Sequence, residues 1–415
     1  MTTPPGPPPT VRPNTVLLAT VVSMMVAFGP MTIDLYLPAL PAIAVDLGAS
    51  ADQVQRTLSV YIVGFAFSQL VYGPLSDRFG RRPMLFAGVG LYIAASVACA
   101  LAQSVDQLVV FRFLQAVGAS CGPVLGRAVV RDYYTREEAA RVMSWVISVM
   151  SLAPILAPVF GGLIATWADW RMNFWVLALF GASVILAVAL FLGESNRFKD
   201  PTATDFGAMA KNFGTMLRHR IYVGFLLTNV CMFGGLFSWL NGSSFVLIER
   251  MGMSPMEYGL AFGVASVGFL SGAQTAARLV RRWGIERMCI LGAACAAVGG
   301  GVIFVLLWAG ADTPLAVMVP TVAYFFGMGI TVPNIQAGAV SPFPRNAGAA
   351  SSLIGLFQYA SAGVVTLALG HFGFDPTLLM ATMMGVAGLL AILVFNFLVW
   401  QPTKRMSEAE RNAER

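Results

Sequence analysis

The residue of this chain best placed to do chemistry is a single aspartate in apolar surroundings. Asp34 stands in Met31-Thr32-Ile33-Asp34-Leu35-Tyr36-Leu37-Pro38 and is the only acidic residue well inside any of the long apolar stretches. A carboxylate inside a bilayer is costly, and one that is kept there usually moves an ion, a proton or a charged substrate. Arg112 is its counterpart, in Val109-Val110-Phe111-Arg112-Phe113-Leu114-Gln115. It lies about 9 Å into its own stretch, counting about 1.5 Å per helical residue. The two stretches run in opposite directions, so both charges fall at similar depth in one half of the membrane. An ion pair between Asp34 and Arg112 would stabilise both. The plainer reading of Arg112 is a long side chain snorkelling to the headgroups. Asp34 has a plainer reading too. If its helix begins at Thr15, Asp34 is about 28 Å along it, close to the surface. A kink at Pro38 and Pro41, with the helix continuing toward Asp46, would bring it deeper.

The elements that hold these residues follow from composition. The 415 residues are 57% hydrophobic and 11% charged, against roughly 25% charged in soluble domains. This is an all-α membrane protein, and its formal charge of +6 does not indicate nucleic-acid binding. Twelve stretches reach the about 20 residues that a crossing needs: 15–40, 54–74, 83–103, 107–131, 140–166, 171–192, 221–248, 257–280, 286–309, 314–338, 348–371 and 376–400. Residues 1–13 read as a disordered cytoplasmic tail, 14–192 as one six-helix bundle and 193–220 as a polar cytoplasmic linker. Residues 221–400 read as a second bundle and 401–415 as a cytoplasmic tail.

With both termini inside, the outer loops hold only Arg56, Arg171 and Arg250 of the 26 basic residues. Arg112 and Arg127 fall within a span. That asymmetry obeys the positive-inside rule. Snorkelling accounts for Arg127 and Arg131 near the inner end of the fourth span. Cys99, Cys121, Cys231, Cys289 and Cys295 form no metal or redox spacing and read as small packing residues. No metal site is expected.

The loop after the second span reads Gly73-Pro74-Leu75-Ser76-Asp77-Arg78-Phe79-Gly80-Arg81-Arg82, and the matching loop of the second half reads Arg281-Arg282-Trp283-Gly284. Aligning Gly80 with Gly284 makes the halves a degenerate repeat, as in transporters built from parallel halves. Gly73 and Gly80 suit close helix approach and a tight turn, and Asp77 can cap helix amides or pair with an arginine. Gly118, Gly122 and Gly126 repeat every four residues, a close-packing face. Asn241, Asn334, Gln336 and Gln358 read equally as cavity hydrogen-bonding groups or as interhelical contacts. Tyr36, Tyr61, Phe65, Met150, Trp239 and Phe357 are candidate walls of a cavity for adaptable apolar ligands.

GPLSDRFGRRP resembles the loop signature of the major facilitator superfamily, and the resemblance spans nearly the whole chain. TIDLYLPALP (32–41) and TLSVYIVGFAFSQLVYGPLSD (57–77) are similar to the bicyclomycin-resistance (Bcr/CflA) branch of drug:proton antiporters. APVFGG (157–162) resembles the exporters' Gly-Pro motif, with Ala157 where the family usually has glycine. The resemblance implies that Asp77 with Arg78 and Arg81 latches an outward-facing state. It also implies that Arg112 takes part in proton coupling with Asp34, and that Pro158, Gly161 and Gly162 serve the conformational change. The function it implies is proton-coupled export of amphipathic or phenicol/bicyclomycin-like antibiotics across the bacterial inner membrane, by a monomer without cofactor. Its partners would be protons, small-molecule substrates and the lipid bilayer. A metabolite exporter is the alternative within the fold, and a channel or non-transporting sensor the alternative outside it. No nucleophile constellation or HExxH speaks for an enzyme, and no GxxxxGK[ST] loop for ATP.

Overall fold

The structure is a computed structural model that describes residues 15–134, 138–139, 142–143, 145–146, 152–196, 206–343, 347–371 and 375–404. All regular elements among them are helical. Helix α1 is Thr15–Val26, α2 Phe28–Asp34 and α3 Leu40–Asp46, with a 3-10 turn at Leu37–Ala39. The first apolar stretch is therefore one broken rod that runs on to Asp46, bent where Pro30, Pro38 and Pro41 remove backbone donors. Helix α4 is Ala51–Phe79, α5 Arg81–Ala100, α6 Val105–Ala119, α7 Cys121–Tyr133, α8 Ala153–Trp167 and α9 Arg171–Phe191. In the expected linker lies α10, Phe206–Leu217, whose Met216 is buried against the second half. Then follow α11 (Arg220–Ser244, continued by a π-helical turn to Arg250), α12 (Pro255–Trp308), α13 (Pro314–Val340), α14 (Ala347–His371) and α15 (Pro376–Phe395).

Nine described helical runs are long and apolar enough to cross a membrane, and Val16–Val26 and Ala153–Trp167 are shorter apolar helices. Helix α12 has 54 residues, about 80 Å if straight, far beyond the about 30 Å hydrocarbon core. It reverses at Gly284, where φ is 80° and ψ 165°. Gly80, at the aligned place in the first half, has φ 108° and ψ 154°. The degenerate sequence repeat is thus a repeated backbone conformation, one that side-chain-bearing residues rarely adopt. Large apolar side chains such as Phe160, Leu179, Leu186, Val298, Val305 and Leu389 point outward. That belt suits a lipid surface and would be a liability in water.

Local signals set the helix starts. Ser50, Ser104, Ser254, Thr313 and Asp375 each accept a hydrogen bond from an amide of the first turn of α4, α6, α12, α13 and α15. Proline follows directly in Ser254-Pro255, Thr313-Pro314 and Asp375-Pro376, where its missing N–H costs nothing. All five starts lie at the same end of the molecule.

At that end a single arginine ties together the loops of each half. Arg171 binds Asp46 at 2.7 Å, Asp169 at 3.2 Å and the Ala102 carbonyl at 3.2 Å. Arg250 binds Asp312 at 2.8 Å, Thr377 at 3.1 Å and Asp375. Asp46 and Arg171 stand where Arg250 and Asp375 stand in the other half, so the same ion pair recurs with its signs exchanged. Although burial works against it, Asp375 is held below the usual carboxylate range by the Thr377 amide and by Arg250.

The two halves meet along α8 and α12 and along α4 and α14. A side chain on Gly162 would strike the Pro255 carbonyl, and one on Gly259 the Pro158 carbonyl. Ser266 donates to the Pro154 carbonyl at 2.9 Å, and Ser59 to Asn241 Oδ1 at 3.4 Å. This contact closes the end that carries Arg171 and Arg250.

Candidate functional site

The two charged residues of the first half occupy one layer, but they do not pair. Asp34 ends α2, is 6% exposed, and has no hydrogen bond or ion pair among the described residues. Tyr61, Tyr258 and Tyr359 lie close enough to feel its charge. Tyr258 and Tyr359 belong to the second half, and the 3-10 turn that follows Asp34 packs on α12, so this end of α2 lies at the seam between the bundles.

Arg112 is completely buried and does not snorkel. Its Nη1 donates to Gln115 Oε1 at 2.7 Å, Gln115 Nε2 donates to Ser96 Oγ at 2.8 Å, and Ser96 donates to the Tyr92 carbonyl at 2.7 Å. The guanidinium carbon lies 4.4 Å from the Tyr36 ring centre, 4.3 Å from that of Tyr61 and 5.8 Å from that of Phe174. Nε and Nη2 have no acceptor. The expected Asp34–Arg112 ion pair is therefore replaced by cation–π contacts. The reason is local. Residues two apart on a helix project roughly 200° from each other. Tyr36 turns toward Arg112, and Asp34 consequently faces away from it.

The other aromatic candidates fall into two groups. Tyr36 is buried and hydrogen-bonded to Thr57 at 2.7 Å. Tyr61 is buried, and its hydroxyl, beside Thr32, completes no hydrogen bond. Phe65 stacks on Tyr61 at 6.0 Å and meets Tyr359 across the seam at 5.3 Å. Trp239 is a core residue of the second half, packed on Phe262 at 5.0 Å and Phe325 at 5.5 Å, with its indole N–H unpaired. Phe357 packs in a separate cluster with residues such as Tyr222 and Leu353, apart from Tyr359. Met150 lies outside the described residues.

Of the polar candidates, Asn241 bridges the halves through Ser59 and also donates to the Phe237 carbonyl. Asn334 bonds back to its own helix at the Ile330 carbonyl, 2.7 Å away. Gln358 Oε1 accepts from Asn229 at 3.3 Å. These three make interhelical or intrahelical contacts within the fold.

At the opposite end of the bundle, Arg81 is buried and carries a network. It pairs with Asp77 at 2.5 Å and Asp132 at 3.1 Å, and it donates to Ser76 Oγ at 2.5 Å. Ser195 donates to Asp132 at 2.9 Å, and Asn196 donates to the Asp77 carbonyl at 2.9 Å. The amides at the start of α5 are capped by Glu194, which accepts from Arg81 N at 2.9 Å and Arg82 N at 3.2 Å. Asp77 does not cap them. Its side chain pairs within its own half, and Arg78 stacks on Phe79 at 5.3 Å. No atom lies within 4 Å of where a Gly73 side chain would begin, so the close helix approach expected there is not made in this conformation. Gly161 is pressed against the Leu35 carbonyl and Gly162 against Pro255, with Pro158 opposite Gly259. The Gly118–Gly122–Gly126 face packs on α5 at Gly118 and on α1 at Gly122 and Gly126.

Sequence reasoning missed Tyr258 and Tyr359, which look like two among many aromatics. It also missed Glu194, Asp132, Ser195 and Asn196, which lie far along the chain from the loop they brace.

Comparison with known proteins supplies the family. The model of the Major Facilitator Superfamily matches residues 16–366. An uncharacterized MFS-type transporter, YdgK, of Bacillus subtilis is 32% identical over 85% of this chain and 88% of its own length. A bicyclomycin resistance protein homolog of Haemophilus influenzae is 29% identical over 92% and 95%. Multidrug resistance protein D of Escherichia coli is 28% identical over 90% and 94%. Among solved structures, a POT family transporter superposes with a TM-score of 0.75 at 15% identity, covering 94% of this chain and 96% of that one, a likeness of fold alone. With its apolar helices, its glycine-marked repeat and a family match over most of its length, the chain belongs to the Major Facilitator Superfamily, a family of membrane transporters and not of enzymes.

Proposed function

We propose that this protein is a proton-coupled exporter of amphipathic, drug-like molecules, working by alternating access in the bacterial inner membrane. Two six-helix halves, 14–192 and 221–400, cross twelve times with both termini cytoplasmic, and the conformation closed at the Arg171–Arg250 end is inward-facing. The observation that carries this reading is Asp34, a buried carboxylate without a cation partner among the described residues, near tyrosines of both halves. A proton taken up there removes a charge from the seam, and proton loss restores it. Proton and substrate thereby compete for one surface, and the halves rock around it. Arg112, fixed behind Tyr61, supplies a constant positive charge on the far side of the same layer. The Asp77–Arg81 pair, closed within its own half here, is free to engage the other half when the outer seam opens. The relatives named for bicyclomycin and multidrug resistance support the cargo class.

The test is transport by proteoliposomes under an imposed pH gradient, offered phenicols, bicyclomycin and amphipathic dyes. Wild-type protein is expected to accumulate at least one substrate only while the gradient persists. Asp34→Asn should lose gradient-driven transport yet still exchange substrate at equilibrium. Gradient-driven transport by Asp34→Asn at the wild-type rate would remove Asp34 from the coupling step.

A further inference from the structure

The two halves repeat the Gly80 turn at Gly284, but the second turn carries a different charge balance. In the first half the turn is matched from within, by Asp77 and Asp132 on Arg81 and by Glu194 at the start of α5. In the second half Arg281 stands where the first has Asp77, flanked by Arg278, Arg282 and Arg287. All four arginines are exposed and form no hydrogen bond or ion pair among the described residues. The one carboxylate between Arg278 and Arg287 is Glu286. Trp283, 46% exposed, stands among them. An exposed indole beside basic residues marks the headgroup level of a bilayer.

The two limbs of α12 that meet at this turn also border a cavity of about 480 Å³, lined by residues such as Gly268, Ser271, Ala294, Cys295, Val298 and Val319. Its one hydroxyl, Ser271 Oγ, is spent on the Gly268 carbonyl at 2.8 Å, so the lining offers a ligand little but carbon. Val298 and Val319 are each 64% exposed and belong to the outward apolar belt. The cavity therefore opens toward lipid.

Turn and cavity are in line. Arg278 and Arg282 follow Ser271 by seven and eleven residues, and Arg287 precedes Ala294 by seven and Val298 by eleven. On an α-helix those spacings return to within about 20° of the same face. They set the three arginines about 10–16 Å along the helices from the cavity, close to half of the about 30 Å hydrocarbon core. A cationic site at headgroup level, with an apolar hollow in the leaflet beneath it, matches a molecule with an anionic head and a hydrocarbon tail. We infer that this face binds an anionic glycerophospholipid, with its phosphodiester on Arg278, Arg282 and Arg287 and one acyl chain in the cavity. Arginine suits the phosphate because its planar fork pairs with two oxygens at once.

Native mass spectrometry of the purified, delipidated full-length protein tests this, with phosphatidylglycerol and phosphatidylcholine of identical acyl chains. Wild type is expected to bind the first phosphatidylglycerol about tenfold or more tightly than the first phosphatidylcholine. Arg278→Gln, Arg282→Gln and Arg287→Gln combined should abolish that preference. Phosphatidylcholine binding, unchanged within about twofold, serves as the folding control. Ala294→Phe, which puts a ring into the cavity, should weaken both lipids together. Where Ala294→Phe melts below wild type without lipid, Ala323→Leu in the same lining takes its place. Inorganic phosphate in excess should displace neither lipid. Wild type that binds both lipids equally, or a preference that survives the triple substitution, overturns the headgroup contact and the proposal with it. Unchanged lipid binding with the cavity filled overturns it too, as does displacement of phosphatidylglycerol by phosphate, which would make this a site for the free anion.

Discussion

The guanidinium of Arg112 rests on the ring of Tyr61, 4.3 Å from its centre. The π-face of this one phenol therefore takes the cation that would otherwise seek a carboxylate. A cation held by aromatic faces keeps its charge without drawing on the carboxylate, and under the proposed function Asp34 is the group left to respond to protons and ligand.

Removing the ring should cost more than removing the hydroxyl. Tyr61→Phe preserves the stack on Arg112 and deletes a hydroxyl that completes no hydrogen bond, so stability should change by less than about 0.5 kcal/mol. Tyr61→Ala deletes the ring, leaves a cavity and frees one face of a buried cation. It should cost about 3–5 kcal/mol. Thermal unfolding of the purified protein in detergent measures both. Equal losses would mean that the Arg112–Tyr61 contact contributes little.

The seam that closes the Arg171–Arg250 end should open when Gly162 is enlarged. A methyl group there meets the Pro255 carbonyl and, at 3.0 Å, the Met256 Cα. Both are backbone atoms, which cannot swing aside. Overpacking of this kind costs about 1–3 kcal/mol, which acts only on the closed arrangement. In a cysteine-free background, a cysteine placed at Ser59 should react with a membrane-impermeant maleimide about tenfold faster when Gly162→Ala is added. An unchanged rate would show that the seam absorbs the methyl.

The Arg250 clasp should weaken in acid. The Asp375 carboxyl is held below its ordinary value in the folded protein, so its contribution is complete above the unfolded value of about 3.9. That contribution is lost as pH falls through the lower folded value. Its side chain is 38% exposed, and solvent screening limits the effect to under about 1 kcal/mol. Unfolding followed from pH 7 toward pH 3 should show that Asp375→Asn is less stable than wild type at neutral pH. The two should converge at the acid end. A constant difference across the range would exclude the titration.

The all-helical membrane architecture was legible because hydropathy is a property of single positions summed along the chain. The Gly80–Gly284 correspondence was legible too, since a left-handed backbone demands glycine at both places. The depth of Asp34 depended on prolines whose bending is readable but whose sum is not. The Asp34–Arg112 pair failed for a different reason. Opposite charges at equal depth suggest a bond, and only the azimuth of Asp34 relative to Tyr36 forbids it. Glu194 was invisible because the amides it caps belong to Arg81 and Arg82, more than a hundred residues earlier. The α10 helix was hidden by the polar composition of its segment.

The loops gathered by Arg171, and those gathered by Arg250, are drawn from segments scattered over each half of the chain. Each cap is therefore a discontinuous epitope of fixed shape. A nanobody raised against the Arg250 cap would ignore the unfolded chain and grip the folded half without straddling the seam. Two such binders, one per cap and each carrying a fluorophore, would serve as rigid handles. The distance between them would then report the transport cycle without altering a residue of the protein.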